Sequence, residues 1–352
     1  MKVLSFINQK GGCGKTTSTV NLASALAINK KKTLLIDLDP QAHATFSLGA
    51  NSLITITDLL ENASEGKPLN PENILKSLDN KRNNLSVLGS SIGLSAIENN
   101  LTAKKGNLEI LKTIISSISS NFDFCIIDCP PNLGLLTLNA INASDYAIAP
   151  MGICELSLKG VENLKSIFSL LLQNKKNVPE LYYLITQLDK RYRFSQEFLR
   201  RAQEILGKNL LSTTIRTNIT LREAAFKRKT IYEYRNNSRG SVDYMHLADE
   251  IEKITNPASK KTLNKHTKGI NFSLKGNGFN EVFVVGEFNN WQKTNNFKLK
   301  KLDTETWSIN VPLTEGNYRY KFVADNQWFK DPQNPFEEKD PFGGINSVIS
   351  VD

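Results

Sequence analysis

Lys10-Gly11-Gly12-Cys13-Gly14-Lys15-Thr16-Thr17 is the stretch that decides the fold. It follows a short apolar run, Val3–Ile7, that suits a buried strand, and it opens a helical pattern. Glycines at 11, 12 and 14 let backbone N–H groups close around an anion, and a helix N-terminus adds positive potential at the same place. Lys15 can reach β- and γ-phosphates, and the Thr16 hydroxyl can ligate Mg²⁺. The strand before and the helix after separate this from a chance glycine-rich turn. Gly11, Gly12, Cys13, Gly14, Lys15, Thr16 and Thr17 are therefore the candidate nucleotide-binding residues.

Working outward, short apolar runs recur between amphipathic segments. Thr33–Asp37, Leu85–Leu88, Phe124–Asp128, Tyr146–Pro150, Leu181–Thr186 and Leu210–Ile215 read as further buried strands. Val161, Leu164, Phe168 and Leu171 mark the clearest helix by their spacing, and the last helix of the unit is expected at about Ser241–Ile254. Alternating strands and helices predict an α/β fold with a mainly parallel sheet covered by helices on both faces. Two of the strands end in carboxylates, in Asp37-Leu38-Asp39-Pro40-Gln41 and in Asp128-Cys129-Pro130-Pro131. Carboxylates at the carboxyl ends of parallel strands face the ligand crevice.

The form Lys-Gly-Gly-x-Gly-Lys-Thr-Thr, with Gln9 where a standard P-loop has glycine, resembles the deviant Walker A family of P-loop NTPases that includes ParA, MinD and the nitrogenase iron protein. The resemblance covers roughly residues 1–255. It implies an ATPase with ATP and Mg²⁺ as cofactors that forms a homodimer on binding ATP. Lys10 would reach the partner's phosphates. Asp128 would hold Mg²⁺ through its water, with Thr16 and Asp39 also at the metal; Asp39 would help position the attacking water, and Asp37 would lie beside the metal shell. Lys10, Lys15 and Asp39 are the catalytic candidates. The implied chemistry is in-line phosphoryl transfer to water, slow and used as a timer.

Asp128–Ala140 and Ile215–Ala224 look like segments of the chromosomal, Soj-type ParA proteins. In that group dimers bind DNA non-specifically through basic residues whose contacts go to phosphates. Arg191 matches one such position. The other holds Thr220, with Arg222 two residues on, so Arg191 and Arg222 are the DNA-binding candidates. Lys227-Arg228-Lys229 and Arg200-Arg201 are further basic pairs or runs. A ParB-like activator is the implied partner. Because the first strand begins at residue 3, no helix-turn-helix precedes it and sequence-specific operator binding is not expected. MinD-type membrane attachment needs a terminal amphipathic helix, and this chain ends in β-type sequence, so no membrane partner is expected.

Composition agrees with a soluble protein, expected to be cytoplasmic; nucleoid association is what the resemblance implies. The chain has 352 residues, 40% hydrophobic and 22% charged, and no apolar run approaches the roughly 20 residues of a membrane span. The N-terminus is too short for a signal peptide. Cys13, Cys125, Cys129 and Cys154 lack zinc-site spacing and read as reduced thiols. The net charge of +9 divides into +7 for residues 1–255, +4 for 256–268 and −2 for 269–352. Any polyanion partner is therefore expected at the front of the chain.

Composition changes after residue 255. Residues 256–269 are polar and basic and read as a linker. Residues 270–352 carry short alternating strands, Val282–Val285, Trp307–Val311, Tyr318–Val323 and Ser347–Val351. Asn289-Asn290, Glu315-Gly316 and Asp325-Asn326 mark turns between them, which predicts an all-β, immunoglobulin-like sandwich. Val282–Trp291, Glu315–Val323 and Asn326-Gln327-Trp328 resemble the family 48 carbohydrate-binding module of the AMP-activated protein kinase β subunit. The resemblance implies that Trp291 and Trp328 stack on glucose rings while Lys321 and Asn346 bond to hydroxyls. Phe342 stands where that family caps the sugar with leucine.

Three functions fit: a chromosome- or plasmid-partitioning ATPase; a cargo-positioning ATPase tethered to glycogen or a related α-glucan; and a glycan sensor in which the ATPase is a dimerisation switch. The sequence leaves the cargo, the activating partner and the domain arrangement open.

Overall fold

The computed structural model describes residues 1–102, 106–174, 178–189, 191–256, 268–289, 291–313, 316–339 and 344–351. The chain divides into two compact units, Met1–Thr255 and Asn256–Asp352.

Among its described residues the first unit is built on eight strands: β1 Lys2–Phe6, β2 Thr33–Asp37, β3 Asp79–Arg82, β4 Leu85–Leu88, β5 Phe124–Asp128, β6 Tyr146–Gly152, β7 Glu180–Leu188 and β8 Leu210–Arg216. They lie in the order β3-β4-β2-β5-β1-β6-β7-β8. All neighbours are parallel except the edge hairpin β3–β4. The apolar runs at the centre are buried on both sides. In β1, Val3 joins one hydrophobic cluster and Leu4 the other; in β2, Leu34 and Ile36 join the first and Leu35 the second. Helices at Ile56–Ser64, Ile110–Ser117 and Leu135–Ala143 cover one face. Helices at Lys15–Ile28, Ile219–Phe226 and Arg239–Thr255 cover the other. Each buried aliphatic side chain contributes about 1.5–3 kcal/mol of transfer free energy, so the sheet is a stiff platform for whatever leaves its carboxyl edge. Among the described residues no helix is long and apolar enough to cross a membrane.

Among the described residues the second unit has eight strands: β9 Lys268–Lys275, β10 Val282–Gly286, β11 Lys300–Lys301, β12 Thr306–Leu313, β13 Gly316–Ala324, β14 Gln327–Phe329, β15 Glu337–Lys339 and β16 Ile345–Val351. One antiparallel sheet runs β10-β13-β16-β15 with β14 on β13, and the other runs β11-β12-β9. Phe272, Leu274, Trp307 and Val311 from the smaller sheet meet Val282, Val284, Tyr320 and Phe322 from the larger. Phe272 and Tyr320 pack edge to face at 4.9 Å, and the Tyr320 hydroxyl donates to Asp331 at 2.6 Å. This is a sandwich with a single core between two antiparallel sheets.

The strand β9 begins at Lys268, inside the segment expected as linker. Its ladder to β12 runs from Lys275 opposite Thr306 to Lys268 opposite Leu313, and this pairing draws Lys268 and Gly269 into the sheet. The rest of the expected linker after Asn256, the turn residues Asn290 and Glu315, and Phe342 lie outside the described residues.

Candidate functional site

The carboxyl ends of β1, β2 and β5 meet in register. Phe6 pairs with Asp128, and Asp37 pairs with Asp128 from the other side. The loop Ile7–Gly14 leaves β1 at this point and turns into the helix Lys15–Ile28, with Gly14 as its N-cap at φ +87° and Gly12 at φ +73°. Both angles are in the left-handed region, where a side chain would be strained. The loop is stitched to the neighbouring strands. Ile7 N–H donates to Ile148 O at 2.9 Å, and the Asn8 amide donates to Pro150 O at 2.6 Å. Thr186 and Gln187, at the end of β7, donate to Cys13 O and Gly12 O, each at 2.7 Å.

Lys15 is buried, and its Nζ donates to Asn8 O at 3.1 Å and Lys10 O at 3.5 Å, both carbonyls of the loop itself. Lys10 is exposed, and its Nζ lies 2.8 Å from Cys154 Sγ, just beyond the end of β6. The Ser157 hydroxyl is 3.1 Å from the same sulfur. Partial burial pushes the Cys154 thiol up, but the hydrogen bonds from Lys10 and Ser157 and the Lys10 charge outweigh it and leave the thiol below its ordinary value. Cys13, Cys125 and Cys129 are buried, and burial pushes all three thiols up.

Asp128 is fully buried at the head of this loop. Its Oδ1 accepts from Thr19 at 3.2 Å, and its Oδ2 has no hydrogen-bond partner among the described residues. Burial pushes its carboxyl well up, and the Asp37 charge adds to that. The nearby Thr16 hydroxyl and Lys15 charge pull the other way. An unpartnered buried carboxylate oxygen beside a helix N-terminus has the character of a cation ligand, because an anion there needs a countercharge. Among the described residues no cluster of three or more His, Cys, Asp or Glu could hold a metal ion. The donor set instead suits Mg²⁺, which takes one or two protein groups and leaves its remaining positions to water and phosphate. Asp37 is committed elsewhere: its Oδ2 accepts from the Thr45 N–H at 2.8 Å and the Thr45 hydroxyl at 2.7 Å. Burial also pushes its carboxyl up. Asp39 is largely buried two residues on, with Oδ1 accepting from Gln41 N–H at 2.9 Å.

Beside the loop lies a cavity of about 180 Å³, lined by Gly14, Thr17, Thr186, Asn218, Arg222 and Tyr244 among others. Its wall is the segment Ile215–Ile219 that leaves β8. A helix N-terminus on one side and a mostly apolar cavity on the other suit a phosphate chain and an attached aromatic base. Sequence reasoning missed this cavity, because its walls come from four distant segments.

The two DNA-binding candidates differ in setting. Arg191 is 84% exposed, but its guanidinium is gripped by Asp189, with Nε to Oδ1 at 2.9 Å and Nη2 to Oδ2 at 2.5 Å. Those bonds hold the Asp189 carboxyl down to about 2. Arg222 is exposed at the cavity wall. Thr220 is buried, its N–H capped by Asn218 at 2.9 Å. Lys227, Arg228 and Lys229 are exposed, with Arg228 lying 5.0 Å from the centre of the Phe46 ring.

In the second unit the outer face of the larger sheet gathers the aromatic candidates. Phe283, Val285 and Val323 form a small cluster there, and Trp291 packs on it. Lys321 pairs with Val285 and Trp328 with Val323, so both lie on that face. Asp325 and Asn326, at φ +43° and +68°, make the two-residue turn that sets this register. Trp328 is 52% exposed. Trp291 sits at φ +60°, and its N–H donates to Gly286 O at 2.9 Å. Asn346 is buried on β16, two residues before Val348, which pairs with Arg319. Alternation therefore puts it on the same face as Arg319 and Lys321.

With this geometry in place, comparison with known proteins assigns the units. Residues 1–180 match the family profile described as an AAA domain. The Bacillus subtilis sporulation initiation inhibitor protein Soj is 34% identical over 255 residues, 71% of this chain and 98% of Soj. The Treponema pallidum chromosome-partitioning ATPase Soj is 33% identical over 258 residues, 71% of this chain and 96% of that protein. The chain belongs to the Soj/ParA family of ATPases. Among solved structures, a Mycobacterium smegmatis cobyrinic acid a,c-diamide synthase with bound ATP analogue and magnesium is 28% identical at a TM-score of 0.60, covering 72% of this chain and 95% of the other. Residues 1–255 of this Soj/ParA relative are thus an ATPase domain of the class that works with ATP and Mg²⁺. Residues 269–352 match the profile described as the glycogen recognition site of AMP-activated protein kinase, which makes the sandwich a carbohydrate-binding module.

Proposed function

We propose that the chain is an ATP-driven positioning ATPase that moves over DNA and carries an α-glucan as cargo. One observation carries this reading: a phosphate loop with an exposed Lys10 resting on Cys154 occurs in the same chain as a glycan-type aromatic face with Trp328 half exposed.

In this reading the Gly11–Gly14 amides cradle the phosphates, and Lys15 leaves the Asn8 and Lys10 carbonyls for the β- and γ-phosphates. The cavity beside Gly14 and Thr17 takes the nucleoside. Thr16 and Asp128 hold Mg²⁺, with Asp39 close by. When bound, Mg²⁺ neutralises charge that develops on the phosphates. Asp39 orients the attacking water. Lys10 leaves Cys154 and reaches the phosphates of a second subunit, which makes the homodimer depend on ATP. Arg191 and Arg222 supply non-specific DNA contacts on the nucleoid, and a ParB-like partner triggers slow hydrolysis. In the module Trp291 and Trp328 stack on glucose rings while Lys321 and Asn346 bond to hydroxyls.

The test is paired. DNA binding by the full chain is measured with ATP and with ADP, and glycogen binding is measured by co-sedimentation. DNA binding with ATP only, together with glycogen binding lost in Trp328→Ala, is the expected result. DNA binding without glycogen binding would reduce the reading to chromosome or plasmid partitioning, which the Soj relatives favour. Glycogen binding without DNA binding would leave a glycan sensor with a dimerisation switch.

A further inference from the structure

The phosphate loop is held from outside by two adjacent residues that neither motif nor composition singles out. Thr186, 2% exposed, donates its hydroxyl to Cys13 O at 2.7 Å. Gln187 donates its side-chain amide to Gly12 O at 2.7 Å. In a trans peptide the C=O of one residue and the N–H of the next point in opposite directions. A Gly12 carbonyl drawn to Gln187 therefore turns the Cys13 N–H away from β7, and a Cys13 carbonyl drawn to Thr186 does the same for the Gly14 N–H. Those N–H groups then face the concave side of a loop whose Gly12 and Gly14 are left-handed.

Gln187 is itself in the left-handed region at φ +56°, which a residue with a Cβ adopts only where its surroundings hold it there. Besides the bond to Gly12, its own carbonyl accepts from the Thr217 hydroxyl at 2.9 Å, in the segment that walls the cavity. One exposed residue thus ties the phosphate loop, β7 and the cavity wall together.

We propose that Thr186 and Gln187 are positioning residues for nucleoside di- and triphosphates: they fix the outward carbonyls of Gly12 and Cys13 and thereby aim the Cys13 and Gly14 N–H groups at phosphate. The inference rests on the nucleotide reading of this loop. It makes β7, a strand that contributes no group to phosphate itself, a determinant of phosphate affinity.

The experiment measures ADP affinity by calorimetry and the nucleotide-free melting temperature for the full chain and for Gln187→Met, Thr186→Val and Thr186→Ser. Methionine and valine keep the shape and remove the donor. Serine keeps the donor. Gln187→Met and Thr186→Val should each weaken ADP about fivefold to tenfold, the worth of one neutral hydrogen bond. Thr186→Ser should bind as wild type, and the melting temperature should hold. Should buried Thr186→Val fail to fold, exposed Gln187→Met decides. Unchanged ADP affinity in Gln187→Met overturns the proposal, and so does a loss that comes with a matching fall in melting temperature. Absence of ADP binding in the wild type would instead sink the nucleotide reading itself.

Discussion

The two candidate sites of this chain are built by opposite means. The phosphate cradle is made mainly of backbone, glycine amides and a helix N-terminus, with the buried Asp128 side chain beside it, and it is fixed by strands that are buried on both sides. The glycan face is made of side chains: two indoles and a lysine laid on the outer surface of an antiparallel sheet. A site of the first kind is pre-organised, because its groups cannot move without moving the sheet. A site of the second kind depends on a few exposed groups, so its affinity is concentrated in them while its scaffold is indifferent to them. Substitutions should therefore act differently in the two places.

The largest effect is expected at Lys15. Lys15→Ala removes a buried ammonium that rests on the loop and should weaken ATP and ADP on the order of 100-fold, measured by calorimetry. Unchanged affinity would break the assignment of the cradle. On the glycan side, Trp328→Ala should reduce glycogen binding about 10- to 50-fold with no change in melting, since the indole is half exposed. Trp291→Ala should lose a similar amount of binding and also lower the melting temperature, because this indole packs on Phe283, Val285 and Val323. Equal melting of the two variants would blur the distinction between anchored and free indole.

Smaller effects test the surface of the ATPase unit. Arg191→Ala should weaken DNA binding a few-fold and reduce the slope of log affinity against log salt by about 1. The loss is moderated because Asp189 already holds the guanidinium. The smallest expected effect is at Cys154. Its thiol is held below the ordinary value by Lys10, so Lys10→Ala should raise it. Alkylation of Cys154 below its wild-type midpoint would then slow, and the midpoint of the rate–pH profile would move up. An unmoved midpoint would show that Lys10 does not rest on that sulfur in solution.

Legibility follows the same division. The strand Phe124–Asp128 could be read to the residue, because five consecutive buried positions leave a continuous apolar run ending in an acid. The edge strand β3, Asp79–Arg82, could not: it reads Asp-Asn-Lys-Arg, and its exposed centre gives no period to detect. Within Lys268–Lys275, Ile270, Phe272 and Leu274 alternate with polar residues, a period-2 strand signal, and only the first residues, Lys268 and Gly269, lack that signal and are marked as strand by the ladder to β12. The residues of the cradle stand together in the sequence and were legible as a unit. Thr186, Gln187 and the cavity wall are brought to the loop from more than 170 positions away, by tertiary pairing alone. Thr220 shows a further limit: two residues from an exposed arginine, it is buried because Asn218 caps the helix it starts.

The most direct test of the account joins the two sites in one assay. Glycogen-coated beads are incubated with the full chain and a fluorescent, non-specific DNA duplex, with Mg²⁺ and either ATP or ADP, and bead-bound DNA is measured. The account predicts that the chain binds the beads with either nucleotide, while DNA is captured with ATP alone and is lost in Lys15→Ala and in Trp328→Ala. Beads that retain the chain but capture no DNA with ATP, or DNA capture that persists in Trp328→Ala, would contradict it.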